Sequence, residues 1–509
     1  MLQKFGVAAA AAVLLASGPA SAQKAKDTLR IGYQDPITTV DLVQDTKPET
    51  DLSGNGVFDS LVYYDGASRS YKGVLAESWS WTDDKTLEFK LRRGIKFHDG
   101  SEFTAADVVY TVKYLTDPAS RIRYTNLDFV DHAEKIDGYT VRIVEKQATS
   151  FDLARMNMAI YPAAIHGKLA DKSEFGRKTP IGTGPYRVES IDSVKGISLV
   201  RNDKYVSAGA WRPAARIGRV QVVQIPDLQT QIAQLMTGGI DLVHDVPKDQ
   251  SDQLASAPNL HATAAAGLPY FYMAMDSIAR SGNTALQKVE VRRALEMAVN
   301  RESLARNVVA GGDAVRVVNT LCVEIQADCP QNLDAMPPAY DVAGARKLLA
   351  EAGYPEGFDI EITSIPGAQA IAEAVAGELR KAGVRAKVDH KTFGAYREKE
   401  TQGKLEILIG HFWSSGAAPN GSLEKFFGAP ARDYTKDEVI AKLKAAAFGE
   451  RDEAKRFEHY KKLMERVNER AYILPLTTFP SVWVSTDEVE VETGVLNSIN
   501  GETVKMHWR

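Results

Sequence analysis

The sequence predicts an α/β protein of several blocks that the chain enters and leaves more than once. Three observations carry this. A strand–helix–strand order runs through 358–363, 368–382 and Arg385–His390, which implies some parallel pairing. Clean two-residue alternation at Thr86–Leu91 and again at 140–144 marks half-buried strands. No low-complexity or flexible linker interrupts the 509 residues. At roughly 150 residues per domain the length suggests about three blocks, joined by crossings rather than by a tether.

The elements follow in order. Thr28–Tyr33 reads as a first strand with Leu29 and Ile31 on one face, and a Pro- and Asp-containing loop follows it. In Thr86–Leu91, Leu87, Phe89 and Leu91 alternate with Glu88 and Lys90. Asp99-Gly100 supplies a turn. Thr104 to Asp107 has the spacing of a capping box before a helix over 108–115. Asp137-Gly138 turns the chain into the strand at 140–144. Leu228, Ile232 and Leu235 place one apolar stripe on a helix over 226–238. Helices are expected over 286–309 and from Asp341 to a closing Gly353. A charged amphipathic helix spans 452–470, and strands at 473–476 and 482–484 return the chain.

Composition narrows the function. The chain is 44% hydrophobic and 25% charged, an ordinary globular balance. Lys and Arg total 62 against 66 Asp and Glu, for a net charge of −4, so no basic excess is available to neutralise nucleic acid. Residues 1–22 have the three-part layout of a secretory signal peptide: Lys4, an apolar run over 7–16, then Ala20-Ser21-Ala22. The run is too short to span ~30 Å of hydrocarbon, and no later stretch reaches ~18 apolar residues. The mature chain is expected to be exported and not inserted in a membrane. Export permits a disulfide, and Cys322 and Cys329 are close enough in sequence to close a local loop; two free thiols are the alternative. A CxxC redox motif is excluded by the spacing.

Motifs for chemistry are absent. The closest histidines, His244 and His261, are not at metal-ligand spacing, so no metal site and no cofactor are expected. There is no phosphate loop and no nucleophile elbow. Gly182-Thr183-Gly184 lacks a third glycine and a following helix, so it is not a dinucleotide fingerprint. A binding protein is favoured over a secreted hydrolase; a sensory receptor shares the binding step and is not separated from it.

One stretch is specific. It runs from Ser78-Trp79-Ser80-Trp81 through Arg92-Arg93-Gly94-Ile95-Lys96-Phe97-His98-Asp99-Gly100 to Asp107-Val108-Val109-Tyr110. Further landmarks are Gly182-Thr183-Gly184-Pro185-Tyr186, Val291-Arg292-Arg293-Ala294-Leu295 with Asn300-Arg301-Glu302, and Ala345-Arg346-Lys347-Leu348-Leu349 continuing to Gly353-Tyr354-Pro355. This pattern resembles the family 5 extracellular solute-binding proteins, the peptide- and nickel-type receptors of bacterial ABC importers. The resemblance implies a two-lobed periplasmic-binding-protein fold with a hinge and an inserted extra subdomain in the first lobe. The implied division is 23–55, 179–269 and 485–509 for the first lobe, 56–178 for the subdomain and 270–484 for the second lobe. It implies a periplasmic monomer that delivers a small solute or short peptide to a membrane permease. The signature itself reads as scaffold.

Candidate ligand contacts come from loops facing a cleft. His411, Trp413, Ser414 and Ser415 follow an apolar strand, and Trp413 offers a flat face for stacking. In peptide-binding members an Asp follows such a Trp and pairs with the peptide ammonium; here the matching residue is Gly416. Tyr33, Gln34 and Asp35 follow the first strand, and Asp35 can supply a carboxylate. Arg121, Arg123 and Tyr124 lie where nickel-type members present basic and aromatic groups. Tyr270 and Tyr272 border the implied hinge and are read as pocket or core residues.

Overall fold

The computed structural model describes residues 26–45, 47–120, 122, 127–149, 153–178, 180–265, 267–412, 418–492 and 502–509. The expected signal peptide lies outside them. Two sheets organise the chain. The first has seven strands in the order Leu260–Ala265, Ser481–Thr486, Leu242–His244, Thr28–Tyr33, Arg219–Gln224, Gly196–Arg201 and Tyr186–Asp192. Thr28–Tyr33 pairs parallel with both of its neighbours. All but one of its residues are buried, because a central parallel strand is covered on both faces. The second sheet has five strands: Arg385–His390, Asp359–Ser364, Ile407–Phe412, Tyr270–Met275 and Ile473–Thr478. The expected strand–helix–strand unit is present there, with Asp359–Ser364 parallel to Arg385–His390 across the helix Gln369–Lys381.

A four-stranded antiparallel sheet, Ala76–Trp81, Thr86–Leu91, Thr140–Glu145 and Val130–Lys135, forms the core of the 56–178 segment. The helix Ala105–Thr116 packs on it. Thr104 accepts from the Ala106 N–H, and the Asp107 carboxylate accepts from the Thr104 N–H, which closes the capping box. The residues of this sheet share one hydrophobic core with the first sheet, whereas the second sheet has its own.

The chain crosses between the two sheets twice, at 267–269 and at 479–480, and the Phe479 N–H donates to the Pro269 carbonyl at 2.9 Å. The second crossing differs from the expected position between Val484 and Ser485. All six residues of Ser481–Thr486 pair with Leu260–Ala265 in the first sheet, so the chain has already crossed before Ser481. The expected helix over 286–309 is broken into Val289–Met297 and Arg301–Asn307, because the Asn300 side chain accepts from the Ser303 N–H and starts a new helix. The helix capped by Asp341 ends as expected, with Gly353 at φ +96°. Cys322 and Cys329 are disulfide-bonded, with Cα atoms 5.9 Å apart.

One part of the signature motif, around His98, acts as scaffold. The His98 imidazole lies between the Gly182 N–H (3.2 Å) and the Gly184 carbonyl (2.9 Å). A Cβ on Gly182 or Gly184 would stand 2.1 or 2.6 Å from the backbone at Val57, so only glycine allows this approach. Two landmarks distant in sequence thus form one joint.

Candidate ligand-binding cleft

The lobes face each other across a cavity of about 710 Å³. From the first lobe it is lined by Arg69, Tyr71, Trp79 and Trp81, and from the second by Asp328, Asn420, Arg451, Arg456 and Tyr460. Ser78 to Trp81 alternates serine and tryptophan on an edge strand, which puts both indoles on one face. Trp79 packs on Phe89 with ring centroids 6.4 Å apart, while Trp81 is 39% exposed. Arg456 pairs with Asp328 at 2.8 Å.

Two contacts bridge the lobes beside this cavity. At one, the disulfide-closed loop of the second lobe presents carbonyls to the hairpin Val62–Asp65 and Ser70–Gly73: Tyr64 Oη donates to Ile325 at 2.8 Å and Arg69 to Gln326 at 2.9 Å. At the other, Arg451 reaches into the subdomain. Its guanidinium donates to the Thr149 carbonyl at 3.2 Å, the Glu145 carboxylate at 2.9 Å and the Asp84 carbonyl, and it lies 3.7 Å from the centre of the Trp81 ring. The Glu145 side chain is fully buried. Burial pushes its carboxyl up, and Thr149 and Arg451 pull it back.

The sequence candidates separate into four groups, the last of them His411 alone. Trp413, Ser414, Ser415, Arg121, Arg123 and Tyr124 lie outside the described residues. Tyr33, Gln34 and Asp35 stand at the carboxyl end of the central parallel strand, the edge at which open α/β sheets take ligands. Gln34 and Asp35 are exposed, and Tyr33 is buried against His244, ring centroids 5.8 Å apart. Tyr270 and Tyr272 are core residues. Their strand is flanked by two others in the second sheet; Tyr270 Oη donates to the Leu321 carbonyl at 3.1 Å, and Tyr272 packs edge-on against Phe426 at 4.8 Å.

His411 is 8% exposed and sits among Phe271, Phe393 and Phe479, with the last of these ring centroids 5.8 Å away. Burial lowers its pKa from 6.5 to about 4. A histidine with a lowered folded pKa binds its proton more tightly when the chain is unfolded. Its contribution to stability is therefore present above pH 6.5 and lost as pH falls toward about 4. His411→Phe is expected to make the acid loss of stability shallower by up to about 1.4 kcal/mol per pH unit. Urea unfolding at pH 7 and pH 5 measures this, and an unchanged difference contradicts the buried-neutral assignment.

Sequence reasoning missed Trp79, Trp81, Arg451 and Arg456 as cleft residues. The alternating Ser-Trp-Ser-Trp was a usable signal, since two indoles on one face of an edge strand exceed what a solvated face requires. No local signal marked Arg451. Among the described residues no cluster of metal ligands occurs, and no helix is long and apolar enough to cross a membrane.

Two α/β lobes joined by a double crossing, with a cavity lined from both sides, define a two-lobed periplasmic-binding-protein fold. Solved structures share it. One is the periplasmic binding protein DppA from Helicobacter pylori in complex with the peptide STSA, with TM-score 0.74 and 23% identity over 95% of this chain and 99% of that one. Another is NikA from Brucella suis in complex with Fe(III)-EDTA, with TM-score 0.79 and 22% identity over 94% and 100%. The glutathione-binding protein GsiB of Escherichia coli strain K12 is 30% identical over 365 residues, 69% of this chain and 68% of its own. The model of bacterial extracellular solute-binding proteins, family 5, matches residues 70–433. The chain belongs to that family and is a substrate-binding protein.

Proposed function

We propose that this chain is the exported, periplasmic receptor of an ABC importer, and that its cargo is a short peptide or peptide-like conjugate of the size of glutathione. The observation that carries the reading is the cavity of about 710 Å³ lined by both lobes. Small-molecule sites run from about 300 to 1,000 Å³. A solute bridging both walls favours the closed arrangement over the open one, and a ligand touching one lobe equally in both states shifts nothing. The lining mixes charge with flat apolar surface, which suits a zwitterion: Arg69 and the Arg456–Asp328 pair border the cavity together with Tyr71 and Trp79. The identity to a glutathione-binding relative points the same way. Capture requires no bond to be made or broken, so the receptor reading needs no catalytic residue. A membrane permease is the partner of the closed form.

A thermal-shift series with glutathione, short peptides, opine-type conjugates, oligosaccharides and chelated nickel tests the cargo. At a hundredfold excess over Kd, a ligand that binds only the folded chain adds about 2.7 kcal/mol. A large shift with glutathione or a short peptide is expected; a shift confined to oligosaccharides or chelated nickel contradicts the cargo. Trp413 is proposed as a stacking contact from the second lobe. Trp413→Ala is expected to weaken binding about tenfold, from the loss of about 1–2 kcal/mol of ring contact, and unchanged affinity removes Trp413 from the site.

A further inference from the structure

The carboxyl edge of the first sheet holds buried polar atoms with nothing to bind. Tyr33 ends the central strand, is 5% exposed, and its hydroxyl has no hydrogen-bond partner. Glu49 lies in the first turn of the helix Pro48–Val57 and is 4% exposed. One of its oxygens accepts from the Asp35 N–H at 3.3 Å, and Oε2 accepts from nothing. The charges of Asp245, Glu49 and Asp51 all act on the Tyr33 hydroxyl, and all have the same sign. Lys47 acts on Glu49 without forming an ion pair with it.

A buried carboxylate with an open oxygen is costly unless a cation completes it. Three carboxylates around one phenol make a field that attracts positive charge and repels a second anion. Burial already pushes the Glu49 carboxyl up from its ordinary value, the direction expected of an anion short of a counter-charge. The place is also where a parallel sheet opens to a ligand: Tyr33, Gln224 and His244 end three neighbouring parallel strands at one edge.

We propose that the Glu49 carboxylate and the Tyr33 hydroxyl form a first-lobe subsite for the protonated amino group of the ligand. An ammonium has three donors and no acceptor. In that subsite Glu49 Oε2 and the Tyr33 oxygen are the acceptors left open for the ammonium, and the Glu49 carboxylate supplies its counter-charge. The subsite rests on the reading of the chain as a receptor for peptide-like solutes and adds to it the group that the first lobe recognises. Asp35, the carboxylate expected from sequence to take this role, stands exposed beside it and contributes its backbone N–H to Glu49 instead.

The test compares glutathione with glutathione acetylated on its amino group, by calorimetry on the full mature chain, for wild type, Glu49→Gln and Tyr33→Phe. Wild type is expected to bind glutathione at least tenfold more tightly than the acetylated form. Glu49→Gln is expected to lose at least tenfold for glutathione and to leave the acetylated form unchanged. Tyr33→Phe is expected to lose severalfold for glutathione alone. Ligand-free Glu49→Gln is expected to melt no lower than wild type, because the amide removes an incompletely paired buried charge. Equal glutathione affinity in wild type and Glu49→Gln overturns the subsite while the cargo reading stands. A wild type that binds neither glutathione nor any short peptide with a free amino group overturns both.

Discussion

Asp59→Ala is expected to destabilise the protein by about 3–5 kcal/mol, the cost of leaving a buried charge without its partner. Asp59 and Arg212 pair at 2.8 Å with side chains only 2% and 7% exposed. Arg212 also donates to the carbonyls of Asn55 at 2.6 Å and Phe58 at 3.0 Å. Thr183 Oγ1 donates to the second Asp59 oxygen at 3.1 Å, and the Tyr205 hydroxyl approaches the first at 3.4 Å. Asp59 therefore ties the segment after the helix Pro48–Val57 to Arg212 and, through Thr183, to the Gly182-Thr183-Gly184 loop. Alanine leaves the guanidinium buried among carbonyls without its hydrogen-bonded anion, with only the charge of Glu502 still acting on it. The double substitution Asp59→Leu with Arg212→Met is expected to recover most of the loss, because well-packed apolar groups often replace a buried ion pair at little net cost. Urea unfolding of wild type and the two variants measures both effects. A loss below about 1 kcal/mol in Asp59→Ala would show that the pair is not an essential tie.

Arg451→Ala has the largest expected effect on binding. Arg451 contributes charge-assisted hydrogen bonds and a ring contact to Trp81, all across the lobes. A partly desolvated cation–π contact alone is worth about 2 kcal/mol. Glu145, fully buried, would lose its cation and find its carboxyl pushed further up by burial. These contacts join the two lobes, so their loss is expected to fall on the arrangement that brings Arg451 to Trp81. The apparent affinity scales with the population of the binding-competent state. About 2 kcal/mol removed from it is expected to weaken ligand binding about thirtyfold, with no large change in the stability of either lobe. Calorimetry with the ligand found for wild type, together with a ligand-free melt, distinguishes this from unfolding. Unchanged affinity would mean that the Arg451 contact does not govern closure.

The parts of the fold that were legible in the sequence are those with a face. Thr86–Leu91 alternates, so its buried set is readable, and the unit from Asp359 to His390 shows two strands around a helix with its own apolar stripe. The second crossing was misplaced for the opposite reason. Ile473–Thr478 and Ser481–Thr486 are buried at every position, so neither has a pattern that says which sheet it joins. Tyr270 and Tyr272 failed as cleft candidates by the same physics: an interior strand buries both faces whatever the polarity of its tips. The site was less legible than the fold. Tyr33 and Asp35 could be placed from the end of a strand, but Glu49 becomes a candidate only once its open oxygen is seen. Arg451 and Asp84 are 367 positions apart, and nothing local to either residue signals the other.

The central claim is that a solute draws the two lobes together. Small-angle X-ray scattering on Arg451→Ala, with and without the ligand identified for wild type, tests it most directly. The ligand-free variant is expected to be more extended than ligand-bound wild type, and saturating ligand is expected to compact it to the wild-type bound radius. A variant with the same radius in both conditions, at a ligand concentration that calorimetry shows to be saturating, would contradict closure as the binding event.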